Sequence, residues 1–360
     1  GQTREVLGMP VVEIAGILIA IAAFARSAQF LLHSWLPYTM SGPTPVSALM
    51  HAGIVNAGGF LVNRFAPLYM QTHDVLHLMF IVGLITAVIG SMLMLSQNDI
   101  KKALGYSTMG QMGFMIMECG VGAFSLAVFH LIAHGLFKGT LFLGAGGVIG
   151  EARDSDGVPK KAVYSFVIER EAKTQRRSWL FMASITLAVP LIIIVAAHWL
   201  VAQDYFQKQG AVVLLFFGWV TGAQLIFATY KMETTQPWRL FTLVLASLII
   251  VVIGYTQISH AFDLFLFPDP VTRDLLYMAA GVDLAWFDLF VALITLGIVL
   301  GWLLVYHAEK YTASSRIKDS LWRSFYAVVS REFYVIEFFN GLSQRIITLA
   351  RKLNILLRWV

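Results

Sequence analysis

Apolar residues run along this chain in long blocks separated by short polar breaks. The blocks fall at about residues 11–32, 44–68, 75–97, 101–120, 123–149, 179–200, 210–230, 240–258 and 286–307. Each is roughly 20 residues or more, the length an α-helix needs to cross a hydrocarbon core near 30 Å thick. In lipid, backbone polar groups must be satisfied within the spanning structure, which favours helices. The pattern therefore predicts an all-α polytopic membrane protein with about nine transmembrane helices in this chain.

Two regions depart from the pattern. Residues 151–178 form a charged loop. The tail from about residue 308 mixes Arg323, Arg331, Arg345, Arg351, Lys352 and Arg358 with Trp, Phe, Tyr, Ile and Leu. Such a mixture reads as an amphipathic helix lying on a membrane surface or a partner. Residues 261–285, with the turn signals of DPVTRD, read as a loop holding a short helix. The organisation expected is thus core helices over 1–150, the charged loop over 151–178, further spans over 179–307 and a basic tail over 308–360.

Composition agrees. The 360 residues are 58% hydrophobic and 13% charged, where soluble domains carry about 25% charged residues. Mean hydropathy is +0.72. The net charge of +5 is explained by where the cations sit, and nucleic-acid binding is not supported. With strict alternation of nine spans, one face collects 20 of the 26 Lys and Arg. The other holds only Arg64, Lys208 and Arg273. Positive charge marks the cytoplasmic side, so the C-terminus is expected in the cytoplasm. The chain begins with Gly and enters a span within about ten residues, without the charged start of a signal peptide. It is expected to continue upstream in nature.

The candidate chemistry lies in the fifth block. His130, His134 and Lys138 are spaced i, i+4, i+8, so their side chains share one stripe of the helix, drifting about 40° per step. A lysine at the centre of a span costs roughly 2.5–3.5 kcal/mol on insertion scales unless it faces the bundle interior. Histidines titrate near neutral pH. A row of such groups inside a membrane reads as a proton path. Arg26, near the end of the first block, either faces protein or water or snorkels to the interface. Pro37, Gly42, Pro43 and Pro45 interrupt the chain before the second block. Such clusters at membrane depth mark discontinuous helices lining a cavity. His51 follows one turn later, either a further relay group or a satisfied interior residue. Asp99, Lys101 and Lys102 read as boundary anchors, and Ser107, Thr108 and Gln111 as a polar stripe. Glu118 reads as interfacial, with an exit carboxylate as the alternative.

No nucleotide-binding loop, dinucleotide fingerprint, HExxH or CxxC occurs. The single cysteine, Cys119, excludes an intrachain disulfide and a cysteine-based zinc site. No metal or cofactor site is expected in this chain. His33 is read as packing.

Three stretches carry a resemblance: SAQFLLHSWLP with GPTPVSALMHAG, DIKKALGYSTMGQMG, and FHLIAHGLFKGTLFLGAG. In this order they strongly resemble the antiporter-like membrane subunit superfamily over about residues 10–150. That superfamily holds the NuoL and NdhF subunits of complex I, the large Mrp cation/proton antiporter subunits and the DabB-type subunits of bacterial inorganic-carbon uptake complexes. The resemblance implies inverted five-helix repeats with two broken helices around a central polar axis. It places His130, His134 and Lys138 on that axis, His51 after the first broken helix, and Asp99 and Lys101 in a boundary motif. Arg26 stands where the family usually has a lysine. Arginine practically cannot lose its proton, so Arg26 is better seen as a fixed charge. Complex I members carry Ser-Lys-Asp or Ser-Lys-Glu in the broken helix after the charged loop. Here that region keeps Pro190 but no lysine, and His198 and Asp204 are the nearest ionisable groups.

The phrase MHAGIVNAGGFLVNRFAPL and the absence of a span after the tail make the chain most similar to DabB-type subunits. That resemblance implies a proton-conducting subunit in a bacterial cytoplasmic (inner) membrane. Its partner would be a large soluble zinc subunit, DabA-like and similar to a carbonic anhydrase, so that zinc sits outside this chain. Alternatives are a pumping subunit among the other membrane subunits of complex I, an Mrp-type cation/proton antiporter, and a scaffold that conducts nothing.

Overall fold

The computed structural model describes residues 5–6, 8–97, 99–154, 179–201, 237–281, 296 and 316–357. The expected spans at 210–230 and 286–307 (Leu296 apart), most of the charged loop, and Asp204 lie outside the described residues. A two-residue antiparallel pairing, Glu5–Val6 with Met9–Pro10, opens the chain. Everything else with regular structure among the described residues is helical.

Helix α1, Val11–Arg26, stops sooner than its apolar run suggests. The Ser27 hydroxyl donates to the Ala23 carbonyl at 2.6 Å. Ala28 and Leu31 then take left-handed backbone angles, φ 51° and 72°, which non-glycine residues rarely adopt. The Phe30 N–H is drawn onto the Thr86 hydroxyl at 2.9 Å, outside any helical ladder. The expected helix over 11–32 is therefore cut after Arg26, eleven residues before the first proline. A 3₁₀ turn, Pro37–Ser41, follows. The next block, expected as one helix over 44–68, is built from α2 (Thr44–Ala52), a 3₁₀ turn (Ile54–Asn56), α3 (Ala57–Arg64) and α4 (Ala66–Tyr69).

Helices α5 (His73–Ser96) and α6 (Ile100–Gly120) form an antiparallel pair. Their glycines let the backbones touch. A Cβ on Gly83 would lie 2.5 Å from the Met117 nitrogen and 2.6 Å from the Gly113 oxygen. One on Gly90 would lie 2.5 Å from the Gly110 nitrogen. Small residues of this kind are how helices associate where lipid removes the hydrophobic drive. A tight turn at Gly122, φ +80°, leads into α7, Phe124–Asp154, which continues slightly past the expected 149.

The C-terminal side holds α8 (Trp179–Val201, with Pro190 inside), α9 (Pro237–Leu266) and α10 (Pro270–Ala279). Helix α9 runs beyond its expected end at 258, so the connection to α10 is shorter than the expected 261–285 loop. Asp269 caps α10 by accepting from the Val271 and Thr272 N–H groups. The end of α10 docks on α5 through His73, hydrogen-bonded to the Ala279 carbonyl, and His77, 3.0 Å from the Ala280 and Gly281 carbonyls. The tail is α11 (Arg316–Ser330), a 3₁₀ turn (Glu332–Tyr334) and α12 (Val335–Leu357). Phe338, Ile346, Leu349, Ile355 and Leu357 of α12 are exposed, as an amphipathic helix made for a further apolar surface would leave them.

Among the described residues, four stretches are long and apolar enough to cross a membrane: Thr44–Arg64, His73–Met94, Phe124–Ala145 and Phe241–Leu266. The core gathers around α1, α5 and α6, with Met109, Met112, Met115, Ile116 and Phe124 essentially inaccessible.

Candidate functional site

Helix α7 supplies the row, and each member receives a partner from another element. His130 Nδ1 lies 3.0 Å from both carboxylate oxygens of Glu118, and its Nε2 lies 2.9 Å from the Gln111 amide oxygen. Both partners project from α6. As oriented, both ring nitrogens donate, the arrangement of an imidazolium; turning the Gln111 amide end for end would serve the neutral ring. The interfacial reading of Glu118 is corrected here. Its side chain is 7% exposed, because α6 is sunk against α5 and α7 up to its last turn.

One turn along, His134 Nδ1 lies 3.2 Å from Asn56 Oδ1. Asn56 spends its two N–H donors on the carbonyls of Ala52 (2.7 Å) and Leu131 (3.4 Å). Its oxygen is thereby left to accept, which fixes the His134 proton on Nδ1. The bare nitrogen, Nε2, is buried without a protein partner. The rings of His130 and His134 meet edge to face at 6.3 Å.

Lys138, 1% exposed, donates to the Ser107 hydroxyl at 2.8 Å and reaches the Leu104 carbonyl at 3.4 Å. These are neutral acceptors on α6, so among the described residues the ammonium is solvated without being paired to an acid. His51, fully buried on α2, stacks on Phe142 of α7 at 4.6 Å. The Thr39 hydroxyl donates to the Leu36 carbonyl at 2.6 Å, so at 3.0 Å from His51 Nε2 it accepts the ring N–H. His51 Nδ1 is then the bare nitrogen, again buried without a protein partner. His51, His134 and Lys138 lie close enough to feel one another's charge. The structure thus brings together His51, His130, His134 and Lys138 with Glu118.

Other expected residues fall elsewhere. Arg26 ends α1 and is exposed. Asp99 caps α6 through the Lys102 N–H at 2.9 Å. Lys101 Nζ holds the Gly42 carbonyl at 3.1 Å, tying α6 to the interrupted segment. Both act on the frame around the row. His198 lies on the last turn of α8, and its side chain is outside the described ones. Asn56 is the residue the sequence reading missed. Its signal was an amide inside a Gly- and Ala-rich interruption, facing a helix that carries histidines. Among the described residues no three His, Cys, Asp or Glu side chains converge as metal ligands.

Similarity to known proteins follows the same residues. The family described as NADH:quinone oxidoreductase/Mrp antiporter, transmembrane, matches residues 4–225. The "Probable inorganic carbon transporter subunit DabB1" of Halothiobacillus neapolitanus is 54% identical over 356 residues, covering 98% of this chain and 64% of that protein. NAD(P)H-quinone oxidoreductase chain 5 of a Picosynechococcus species is 35% identical over 243 residues, 64% of this chain and 35% of that protein. The chloroplastic subunit 5 of Capsella bursa-pastoris is 47% identical over 137 residues, 38% of this chain and 18% of that protein. The chain spans less than two thirds of the length of the curated relatives it matches. With polar groups aligned inside apolar helices and a family match over more than half its length, the chain belongs to the NADH:quinone oxidoreductase/Mrp antiporter transmembrane family.

Proposed function

We propose that this chain is the proton-conducting membrane subunit of an energy-coupled inorganic-carbon uptake complex. Protons move along the row of His130, His134 and Lys138, with His51 beside it and Glu118 at its far end. The observation that carries the reading is the row's partnering. Each group is held by a neighbour on another element, while His134 and His51 keep a bare nitrogen inside the protein. Such nitrogens accept protons from water or from a neighbouring group. Arg26, exposed and always charged, acts on the field of the site and carries no proton. Lys138, held among the described residues by neutral oxygens, can release its proton without breaking an ion pair to any of them.

Likeness to the carbon transporter subunit over 98% of the chain favours this reading over a quinone-oxidoreductase subunit, where likeness is confined to 38–64% of it. In the proposed complex the chain sits in a bacterial inner membrane with its C-terminus in the cytoplasm. It partners a large soluble zinc subunit whose hydration of CO2 to bicarbonate is made one-way by proton flow. The charged loop and the basic tail are the docking surfaces proposed for that partner.

The test is gentle purification of the tagged protein from native membranes, with co-purifying subunits identified by mass spectrometry. It is paired with carbon-uptake assays of Lys138→Ala. One large zinc-containing partner and an assembled but inactive variant are the expected results. Quinone-oxidoreductase subunits, or full uptake by Lys138→Ala, would overturn the proposal.

A further inference from the structure

The interrupted segment between α1 and α2 reaches His51 through one hydroxyl, that of Thr39. The segment is pinned from two sides. The Ser47 hydroxyl of α2 donates to the Thr39 carbonyl at 3.3 Å, and Lys101 of α6 holds the Gly42 carbonyl at 3.1 Å. The Leu36 carbonyl accepts both the Thr39 N–H at 3.1 Å and the Thr39 hydroxyl at 2.6 Å. Its two lone pairs are then taken. The hydrogen-bond chain that starts at His51 Nε2 therefore runs through Thr39 Oγ1 and stops on a main-chain carbonyl, which passes no proton on.

The rest of the ring is clamped against the row. His51 stacks on Phe142 at 4.6 Å with 15° between the planes. Phe142 continues the stripe of His130, His134 and Lys138 by one more step of four residues. Ala52, the next residue of α2, presses on α7 where two glycines make room. A Cβ on Gly135 would lie 2.8 Å from the Ala52 carbonyl oxygen, and one on Gly139 would lie 3.8 Å from the Ala52 Cβ. A Cβ on Gly105 of α6 would collide with Met40 and lie 3.5 Å from His51 Cε1. Nδ1 is buried without a partner among the described residues. His134 and Lys138 lie within reach of its charge, and a buried acceptor so placed suits a bridging water.

Resting on the proton-path reading, we propose that Thr39 is a positioning residue that makes His51 a one-nitrogen proton store at the side of the row. With its Nε2–H committed to Thr39, the neutral ring takes a proton on Nδ1 from His134, Lys138 or a water between them and becomes the imidazolium. It returns that proton from Nδ1 and is neutral again. No proton leaves through Nε2. His51 buffers the charge of the row without being a link in it.

The experiment uses the full assembled complex in phosphatidylethanolamine–phosphatidylglycerol vesicles. Entrapped pyranine reads proton flux, and nitrogen-15 NMR of histidine-labelled protein reads the His51 ring, assigned by its loss in His51→Gln. The wild type should show one neutral tautomer, protonated at Nε2. Thr39→Val, which keeps the branched shape and removes the hydroxyl, should give a mixture, and Thr39→Ser should restore the single form. Flux should fall about tenfold in His51→Gln and in Thr39→Val, and reach background only in Lys138→Ala. Thr39→Val combined with His51→Gln should match His51→Gln alone, because Thr39 acts through that ring. A further loss in the double variant would reduce Thr39 to a structural part of the turn and overturn the inference. A neutral wild-type His51 protonated at Nδ1 would overturn it without any variant. So would Thr39→Val with an unchanged tautomer or unchanged flux, or His51→Gln as dead as Lys138→Ala, which would make the histidine an obligatory link. Full flux in Lys138→Ala would instead remove the path itself, and this inference with it.

Discussion

His130 and Glu118 meet in a buried hydrogen bond across the α6–α7 interface, 3.0 Å from Nδ1 to the carboxylate, with side chains 15% and 7% exposed, and become an ion pair when the ring is protonated. The pair sits at one end of the row and Lys138 at the other, two helical turns along α7. A charge arriving at one end changes the field along the whole row, because the interior screens it weakly.

Removing one partner should therefore cost stability as well as function. Glu118→Ala strands the imidazole of His130 and should destabilise the protein by about 3 kcal/mol. Pairing Glu118→Leu with His130→Leu should recover most of that loss, since a buried ion pair is often replaceable by apolar packing. Proton flux should stay abolished in the double variant. Thermal unfolding in detergent, read beside vesicle flux, separates the two effects.

Asn56 fixes the His134 tautomer by spending both its N–H donors on carbonyls. Asn56→Leu should free the ring to protonate on either nitrogen and lower flux roughly 10- to 100-fold. Nitrogen-15 shifts of labelled His134 should report one neutral tautomer in the wild type and a mixture in the variant. A single unchanged tautomer would show that another group orients the ring.

The glycine contacts of α5 and α6 hold Ser107, Gln111 and Glu118 at the row. Gly83→Val would drive side-chain atoms into the Met117 and Gly113 backbone, and overpacking of this kind costs about 1–3 kcal/mol. The unfolding midpoint in detergent should fall. Flux should fall more than stability alone explains, because α6 must shift away from α5 and carry Ser107, Gln111 and Glu118 out of register with the row.

Outside the spans, the Thr272 hydroxyl and N–H, donating to Asp269, hold its carboxyl below the usual carboxylate range. A depressed folded-state value means that the cap stabilises α10 above the ordinary carboxylate range and is lost as pH falls through the lowered one. Hydrogen-exchange protection factors over Pro270–Ala279, taken relative to the intrinsic exchange rate at each pH, should fall on acidification and be low at all pH in Asp269→Ala. Protection factors in the variant that still rise with pH would point to a different titrating group.

The membrane class, the long helices α5, α6 and α7, and the stripe of His130, His134 and Lys138 were all legible in the sequence. Burial in lipid demands long apolar runs, and helical periodicity then fixes which residues of one helix share a face. It could not say what lies opposite. Glu118 read as interfacial because distance along a helix measures depth only when the helix stands alone. Packing against α5 and α7 buried it instead. Asn56 was invisible as a partner because it is 78 residues from His134, and nothing local encodes that meeting. The break after Arg26 was read too late. No proline marks it: past the end of α1 the Ser27 hydroxyl turns back onto the Ala23 carbonyl, and Thr86 on a neighbouring helix takes the Phe30 N–H. Local chemistry wrote the helices, and tertiary contact alone decided which polar groups meet inside them.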